Sequence, residues 1–490
     1  FPSLRPLTRA WVLYLAGVGP APLDLDRAID HLGEASLRAM VELLRAVGQS
    51  GATLIVIQRA HHATDWDLRQ LCQLSRELRE VSVAMYLTVD DEEGKPHFED
   101  RPGWTRLQGV DLAVEIGPLG PAAGRVLIDQ VLDRDHALPP ADADALVEHS
   151  GGMPLFLEEV LDALAEAGLL VSGPDTGAWQ LASDGIPSGF PDSLEDLLIA
   201  RIDPMPDALA DALRKASVAG PIIWRELLQD LGHPPAETSL AELERQGFLA
   251  RTFEDPLEGH EGYRFVHDGV RRAIYDEVPA DQAARLHARV ARWLALHAGD
   301  RIHRWLGAIA WHHAAAGDVK RATSFHLQSA RWARSRGELG EADEQLARGR
   351  IHAQDRDQAH VLLLELAEVR LAMGQVELAR EVLRGFTERD RAALDMASTL
   401  RLHMLATRAA IARGELAAAD RSAASGLQVA ERLDDPWRAA VLRAMLATVR
   451  LEQGRPKDAL EHASAAHRAW GELEDRGGRL AGGLLVGRAM

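Results

Sequence analysis

The chain has 490 residues, 47% hydrophobic and 26% charged, with one cysteine and a formal net charge of −19. That length predicts three or four folded units. A single cysteine excludes a disulfide framework and a thiolate zinc site, and no apolar run approaches the roughly 18 residues of a membrane helix, so a cytoplasmic protein is expected.

The chain opens at Phe1 with no basic-then-apolar leader, and the expectation is that it starts inside a longer protein. Leu37, Met40, Val41 and Leu44 recur at helical spacing until Gly48 to Gly51 end the run. Ala52 to Ile57 reads as a short, fully buried strand. A helix follows, capped by Thr64 or Asp65, with Leu68, Leu71, Leu74 and Leu78 on one face and Cys72 as a buried structural thiol. Val81 to Thr88 reads as a second buried strand, and Val110 to Ile116 as a third. Strand, helix, strand with buried strands predicts a parallel α/β sheet. From Pro139 to about Leu170 the pattern is helical, broken at Ser150 to Pro154, and Trp179 to Leu181 is a strand. Short helices and a late strand, Tyr263 to Val266, fill residues 193–285, and from about Ala283 onward the chain reads as helix pairs.

Gly374, Gly414 and Gly454 stand 40 residues apart, each followed five residues later by Ala379, Ala419 or Ala459. Gly317 with Ala322 and Gly337 with Ala342 repeat the local pattern. Glycine fits a tight turn between antiparallel helices, and alanine lets the helices approach closely. This region resembles the longer tetratricopeptide-like repeats of MalT-like regulators, which implies a superhelix with a concave face that binds a protein or small-molecule effector. The array is expected to continue beyond Met490.

No G-x-x-x-x-G-K-[ST] loop occurs, and none of the four lysines, Lys95, Lys215, Lys320 and Lys457, follows a phosphate cradle. The order of the other motifs nevertheless resembles the STAND signalling ATPases, over about Thr53 to Ala330. Leu54 to Asp65 aligns with the family's second motif: the strand, His61 and Ala63 fit, while Gln58 and Arg59 replace its two carboxylates. Neither can bind magnesium as an anion or act as a general base. Thr88 fits the next strand end, but Asp90 stands where arginine is expected, and a carboxylate beside a triphosphate is repulsive. Ser150-Gly-Gly-Met-Pro154 closely matches the G-x-P motif, in which the proline packs near adenine; the same residues also read as a helix start with Pro154 at its first position, and the two readings are compatible. The resemblance implies Gly152, Pro154 and Thr88 as nucleotide-binding residues, with ATP or ADP and magnesium in a longer protein.

Phe190 to Asp203, Leu243 to Leu249 and Tyr263 to Tyr275 resemble the winged-helix segment that follows this ATPase module. Residues 190–280 carry 9 basic and 18 acidic groups, the reverse of a phosphate-tracking surface. Nucleic acid is therefore disfavoured as a partner, although residues 282–490 carry 32 basic against 26 acidic groups. The twenty histidines show no metal-binding spacing: His61-His62 and His312-His313 are adjacent pairs, which do not share a helix face. No Ser/His/Asp set has a recognisable local context.

The expected architecture is multidomain: a partial P-loop α/β domain lacking the phosphate loop at 1–135, a helical lid at 136–185, a winged helix at 186–282 and an α-solenoid of repeats at 283–490. The expected function is the regulatory part of a signal-transduction ATPase, attached to an effector such as a Ser/Thr kinase and able to self-associate on ligand binding. The alternative is a pseudo-ATPase scaffold acting through its repeats.

Overall fold

The structure, a computed structural model, describes residues 32–490 except 59, 61, 62, 64, 90–113, 133–137, 173–178, 183–185, 188, 189, 201, 203, 253–256 and 258. Helices dominate, with three small sheets among the described residues. The chain divides into two units, Phe1–Gly109 with His303–Ala314 and Asp318–Met490, and Val110–Ile302 with Ala315–Gly317.

The first unit opens with α1 (Leu32–Ser50), β1 (Thr53–Ile57), α2 (Asp65–Glu77) and β2 (Val83–Leu87). The strands pair in parallel, from Thr53 opposite Val83 to Ile57 opposite Leu87, as a helical crossover requires. Leu37 and Val41 of α1 and Leu74 of α2 pack with Leu78 over Val83 and Met85, while Leu68 of α2 packs on Ile57 and Leu87. Arg45 of α1 donates to the Glu77 carbonyl at 2.8 Å and pairs with its carboxylate at 2.9 Å, placing a cation at the C-terminus of α2. Cys72 is buried, as its apolar helical setting predicts.

The strands are not buried on both faces. Leu54 is 65%, Val56 51% and Tyr86 53% exposed, so the two strands alternate. Only one face has helices over it among the described residues. Of the third expected strand, residues 110–113 lie outside the described residues; Val114 to Ile116 joins no sheet among the described residues, and Val114 and Ile116 are exposed. A strand needs a hydrogen-bonded neighbour, and alternation alone does not supply one.

The rest of this unit is helical: α12 (Leu306–Ala315), α13 (Val319–Ser335), α14 (Leu339–His352), α15 (Arg356–Ala372), α16 (Val376–Arg384), α17 (Glu388–Ala393), α18 (Met396–Ala412), α19 (Leu416–Arg432), α20 (Pro436–Glu452), α21 (Pro456–Glu472) and α22 (Arg476–Ala489). Pairs form as α13/α14, α15/α16, α18/α19 and α20/α21, and α22 packs on α21. Gly337, Gly374, Gly414 and Gly454 turn the chain within pairs, with φ between +72° and +78°, the left-handed conformation that glycine adopts without steric cost. Gly317 belongs to another class: it lies between α12 and α13, at the kind of junction that Asp434 and Glu474 occupy further on. The five alanines that follow the glycines, Ala322, Ala342, Ala379, Ala419 and Ala459, are fully buried.

The second unit begins with α3 (Pro121–Val131), α4 (Pro140–His149) and α5 (Pro154–Glu166), which share a core of Ile128, Leu146, Val147, Leu157, Leu161 and Leu164. An antiparallel pair follows, β3 (Leu170–Ser172) with β4 (Trp179–Leu181), and the Trp179 indole N–H donates to the Leu132 carbonyl at 2.7 Å. Next come α6 (Leu194–Ala200), α7 (Asp207–Ala219), β5 (Ile222–Trp224), α8 (Arg225–Asp230), α9 (Ala236–Arg245), β6 (Leu249–Thr252), β7 (Gly262–Phe265), α10 (Asp268–Asp276) and α11 (Ala280–His297). The three strands form an antiparallel sheet in the order β5-β7-β6. Trp224 stacks on Trp293 of α11 at 5.6 Å, and Trp293 on His297 at 4.4 Å, closing the core beside the sheet.

Candidate functional site

Ligands of parallel α/β sheets bind beyond the carboxyl ends of the strands. Gln58 and Thr88 occupy those ends, immediately after β1 and β2. The Thr88 N–H donates to the Ile57 carbonyl at 3.0 Å, and the Ala60 N–H donates to the Thr88 carbonyl at 2.7 Å. Thr88 is thus bonded through its backbone to Ile57 and Ala60, on either side of Gln58, which brings together two positions that sequence reasoning selected far apart in the chain. Gln58 is exposed and Thr88 half-buried. Arg59, His61, His62, Thr64 and Asp90 lie outside the described residues. The donor set fits a magnesium triphosphate poorly: Gln58 offers a neutral amide where an anionic ligand is needed, and the sequence has no lysine-bearing phosphate loop.

Gly152 and Pro154 lie in the second unit, at the junction of α4 and α5. Gly151 and Gly152 have φ of +59° and +71°. The Gly152 carbonyl accepts from the Leu119 N–H at 2.7 Å, and a Cβ on Gly152 would lie 2.3 Å from the Leu119 oxygen. The close approach that requires glycine is thus made by the protein's own backbone. Pro154 is the first residue of α5, where its missing N–H costs nothing. The motif at this point builds a turn and a helix start.

Several polar sets became visible only in three dimensions. His233 Nε2 lies 2.8 Å from Ser239 Oγ and its Nδ1 3.3 Å from Asp211 Oδ2, while Lys215 pairs with the same carboxylate oxygen at 2.6 Å. The contacts follow the order of a nucleophilic triad, yet His233 and Ser239 are buried. Ser239 sits inside α9, where its N–H is spent on the Pro235 carbonyl at 3.0 Å, and helical amides of this kind cannot form an oxyanion hole. The set braces the turn between α8 and α9. Residues 211, 233 and 239 match no known short motif, so sequence reasoning had no signal for them.

A second set joins three first helices of the array. Glu365 of α15, 3% exposed, accepts from Arg331 at 3.1 Å and Arg334 at 2.8 Å, both on α13, and from Arg401 of α18 at 3.2 Å. Glu368 accepts from Arg401 Nε at 3.0 Å and from Arg334 at 3.4 Å. Burial pushes the Glu365 carboxyl up, but the charges of Arg401, Arg334 and Arg331 outweigh it and hold the group below its ordinary value. Arg370 with Asp343 and Arg450 with Asp420, each pair at 2.8 Å, occupy equivalent places in different repeats.

Several described histidines are buried. His312 and His313 are both buried on α12, and His287 lies 3.0 Å from the Tyr275 hydroxyl, its pKa pushed down to about 4 by burial. His267 precedes α10 without a side-chain cap, and Asp268 instead pairs with Arg271 and Arg272, each at 2.8 Å. Among the described residues no group of three His, Cys, Asp or Glu could hold a metal ion. No described helix is long and apolar enough to cross a membrane. Trp293 is buried, whereas Trp311 is 42% exposed.

No family model matches the chain. An uncharacterized protein of Rhizobium meliloti is 26% identical over 388 residues, which are 76% of this chain and 36% of that protein. The chain thus spans about a third of the length of the curated relative it matches. A solved structure of a signal transduction ATPase with numerous domains and a tetratricopeptide repeat sensor, from Pyrococcus horikoshii, is similar at 16% identity and a TM-score of 0.36, covering 99% of this chain and 72% of that one.

Proposed function

We propose that the chain is the regulatory part of a multidomain signal-transduction ATPase, in which a partial nucleotide-binding layer is governed by a repeat array that binds a protein or small-molecule effector. The observation that carries this reading is that one unit holds both a parallel strand pair with polar residues at its carboxyl ends and a stack of helix pairs. The first is where α/β proteins place ligands and the second is an extended recognition surface. The order α7, β5, α8, α9, β6, β7 supports a winged helix between lid and repeats, and its acidic balance supports a structural arm over a DNA reader. On this reading an effector such as a kinase would be attached in a longer protein.

A second reading, a pseudo-ATPase scaffold, is favoured by a specific observation: Gln58 stands where a carboxylate is required, and Gly152 is packed against Leu119. Calorimetric titration of Mg-ATP and Mg-ADP into the protein extended upstream of Phe1 separates the two. The switch reading expects micromolar binding with little turnover. Heat at the level of buffer alone with millimolar nucleotide overturns it in favour of the scaffold.

A further inference from the structure

A helical array is normally closed by its nearest neighbours in sequence. Here one side chain comes from far outside the array. Trp66, the second residue of α2, is 9% exposed and belongs to the same apolar cluster as Ala330, Leu339, Leu346, Leu362 and Val382. α2 itself packs against α14. Everything else buried in that cluster lies between residues 330 and 409.

The position of Trp66 in the chain gives this contact a consequence. It stands eight residues after Gln58 and at the start of the crossover helix between β1 and β2. The body of α2 is fixed under the strands by Leu68 and Leu74. The turn leading into α2 is tied to the end of β2 by the Ala60 to Thr88 bond at 2.7 Å. Between α14 and the strand ends there is therefore one short helix, packed on the array through its first turn and on the sheet through the rest. Packed elements of this kind move as units rather than deforming continuously.

We propose that Trp66 is the coupling contact of the molecule: by inserting into the apolar cluster around α14 it makes the carboxyl ends of β1 and β2 respond to rearrangement of the helical array. This rests on the reading that those strand ends are a ligand site governed by the repeats, and names the residue through which the governing acts. An indole is suited to the role because it buries a large rigid surface with two side-chain torsions.

The test is a double-mutant cycle read by amide hydrogen exchange on the whole chain, without nucleotide. Leu346→Ala loosens the cluster from the array side. It is expected to speed exchange at least tenfold in Thr53 to Ala60 and the first turn of α2, with β5 to β7 of the second unit unchanged as the control. Trp66→Ala alone should speed exchange in α14, and Leu346→Ala added to it should leave Thr53 to Ala60 no faster than in Trp66→Ala alone. Trp66→Phe, which keeps an apolar plug, should restore at least half of the coupling and stands in if Trp66→Ala fails to fold. The proposal is overturned if Leu346→Ala speeds exchange in α13 to α15 but leaves Thr53 to Ala60 within twofold, or if its effect there is equally large with Trp66 removed. Because no nucleotide is used, a failed titration with Mg-ATP leaves this result fully readable, and a failed cycle leaves the nucleotide reading intact.

Discussion

The helical array and the parallel strand pair belong to one unit, yet they hold themselves together in opposite ways. In the array each helix meets neighbours within three places in sequence, with buried alanines at the close approaches and an equivalent ion pair at two of the junctions between pairs. The strand pair draws its core from α1 and α2 on one face and leaves Leu54, Val56 and Tyr86 exposed on the other. A structure built on near-neighbour contacts is specified almost wherever it is cut. A parallel sheet is specified only when all its crossovers are present, because its strands require partners on both edges and cover on both faces.

The largest test of that contrast is Glu365. If the array were held by apolar packing alone, removing one carboxylate would matter little. With Glu365 buried under Arg331, Arg334 and Arg401, Glu365→Ala strips three guanidiniums of their shared partner and should cost about 3–5 kcal/mol in urea unfolding at pH 7. The pH dependence has a fixed sign. The folded carboxyl lies below its ordinary value of 4.5, so its contribution is present above that pH and is lost as pH falls through the folded value. Wild type should therefore lose stability below about pH 4.5 more steeply than Glu365→Gln. A cost under about 1 kcal/mol for Glu365→Ala would place the network with ordinary surface ion pairs and erase the distinction between this layer and the rest of the array.

The glycine pair between α4 and α5 gives a test of middle size. Gly151 and Gly152 both have positive φ, but a Cβ on Gly151 meets nothing within 4 Å and one on Gly152 meets the Leu119 oxygen at 2.3 Å. Gly151→Ala should cost about 1 kcal/mol, the conformational penalty alone. Gly152→Ala adds a backbone clash and the loss of the Leu119 bond, about 2–3 kcal/mol in all. Thermal unfolding of both variants checks this. Equal costs would mean that the close approach at Leu119 is not what selects glycine there.

How much of this was legible in the sequence follows from the same contrast. The helix pairs, their glycine turns and the buried alanines were read directly, because each lies within a few residues of what it touches. The first two strands were placed to within two residues at each end, but their exposed face was not foreseen. Whether an apolar strand is covered depends on elements elsewhere in the chain. The alternation of Val110 to Ile116 predicts a strand, yet its described part, Val114 to Ile116, joins no sheet among the described residues, since alternation describes a strand's faces and says nothing of its edges. Gln58 and Thr88 were singled out by order of motifs, and the backbone bonds from Thr88 to Ile57 and Ala60 could not be read from either segment. Glu365 with its three arginines, Trp66 in its distant cluster, and the Asp211, His233 and Ser239 relay were silent for one reason: each joins residues whose spacing carries meaning only after helix faces have been brought together.

The smallest test concerns the junctions between helix pairs. Within pairs the left-handed position is glycine, but between α19 and α20 it is Asp434 with φ of +51°, and between α21 and α22 it is Glu474 with φ of +56°. Residues with a Cβ pay about 1–2 kcal/mol for that conformation. Aspartate is less penalised than glutamate, because its short carboxylate can bond the local backbone. Replacement by glycine removes the strain but adds freedom to the unfolded chain, which takes back part of the gain. Glu474→Gly should therefore stabilise by about 0.5–1 kcal/mol, and Asp434→Gly by less, within about 0.5 kcal/mol of wild type. Unfolding curves of the two single variants and the double resolve the difference, and the two sites lie in separate turns, so their effects should add. If both substitutions destabilised, the carboxylates at these junctions would be making contacts that outweigh the backbone strain, and near-neighbour turn chemistry would no longer account for the regularity of the array.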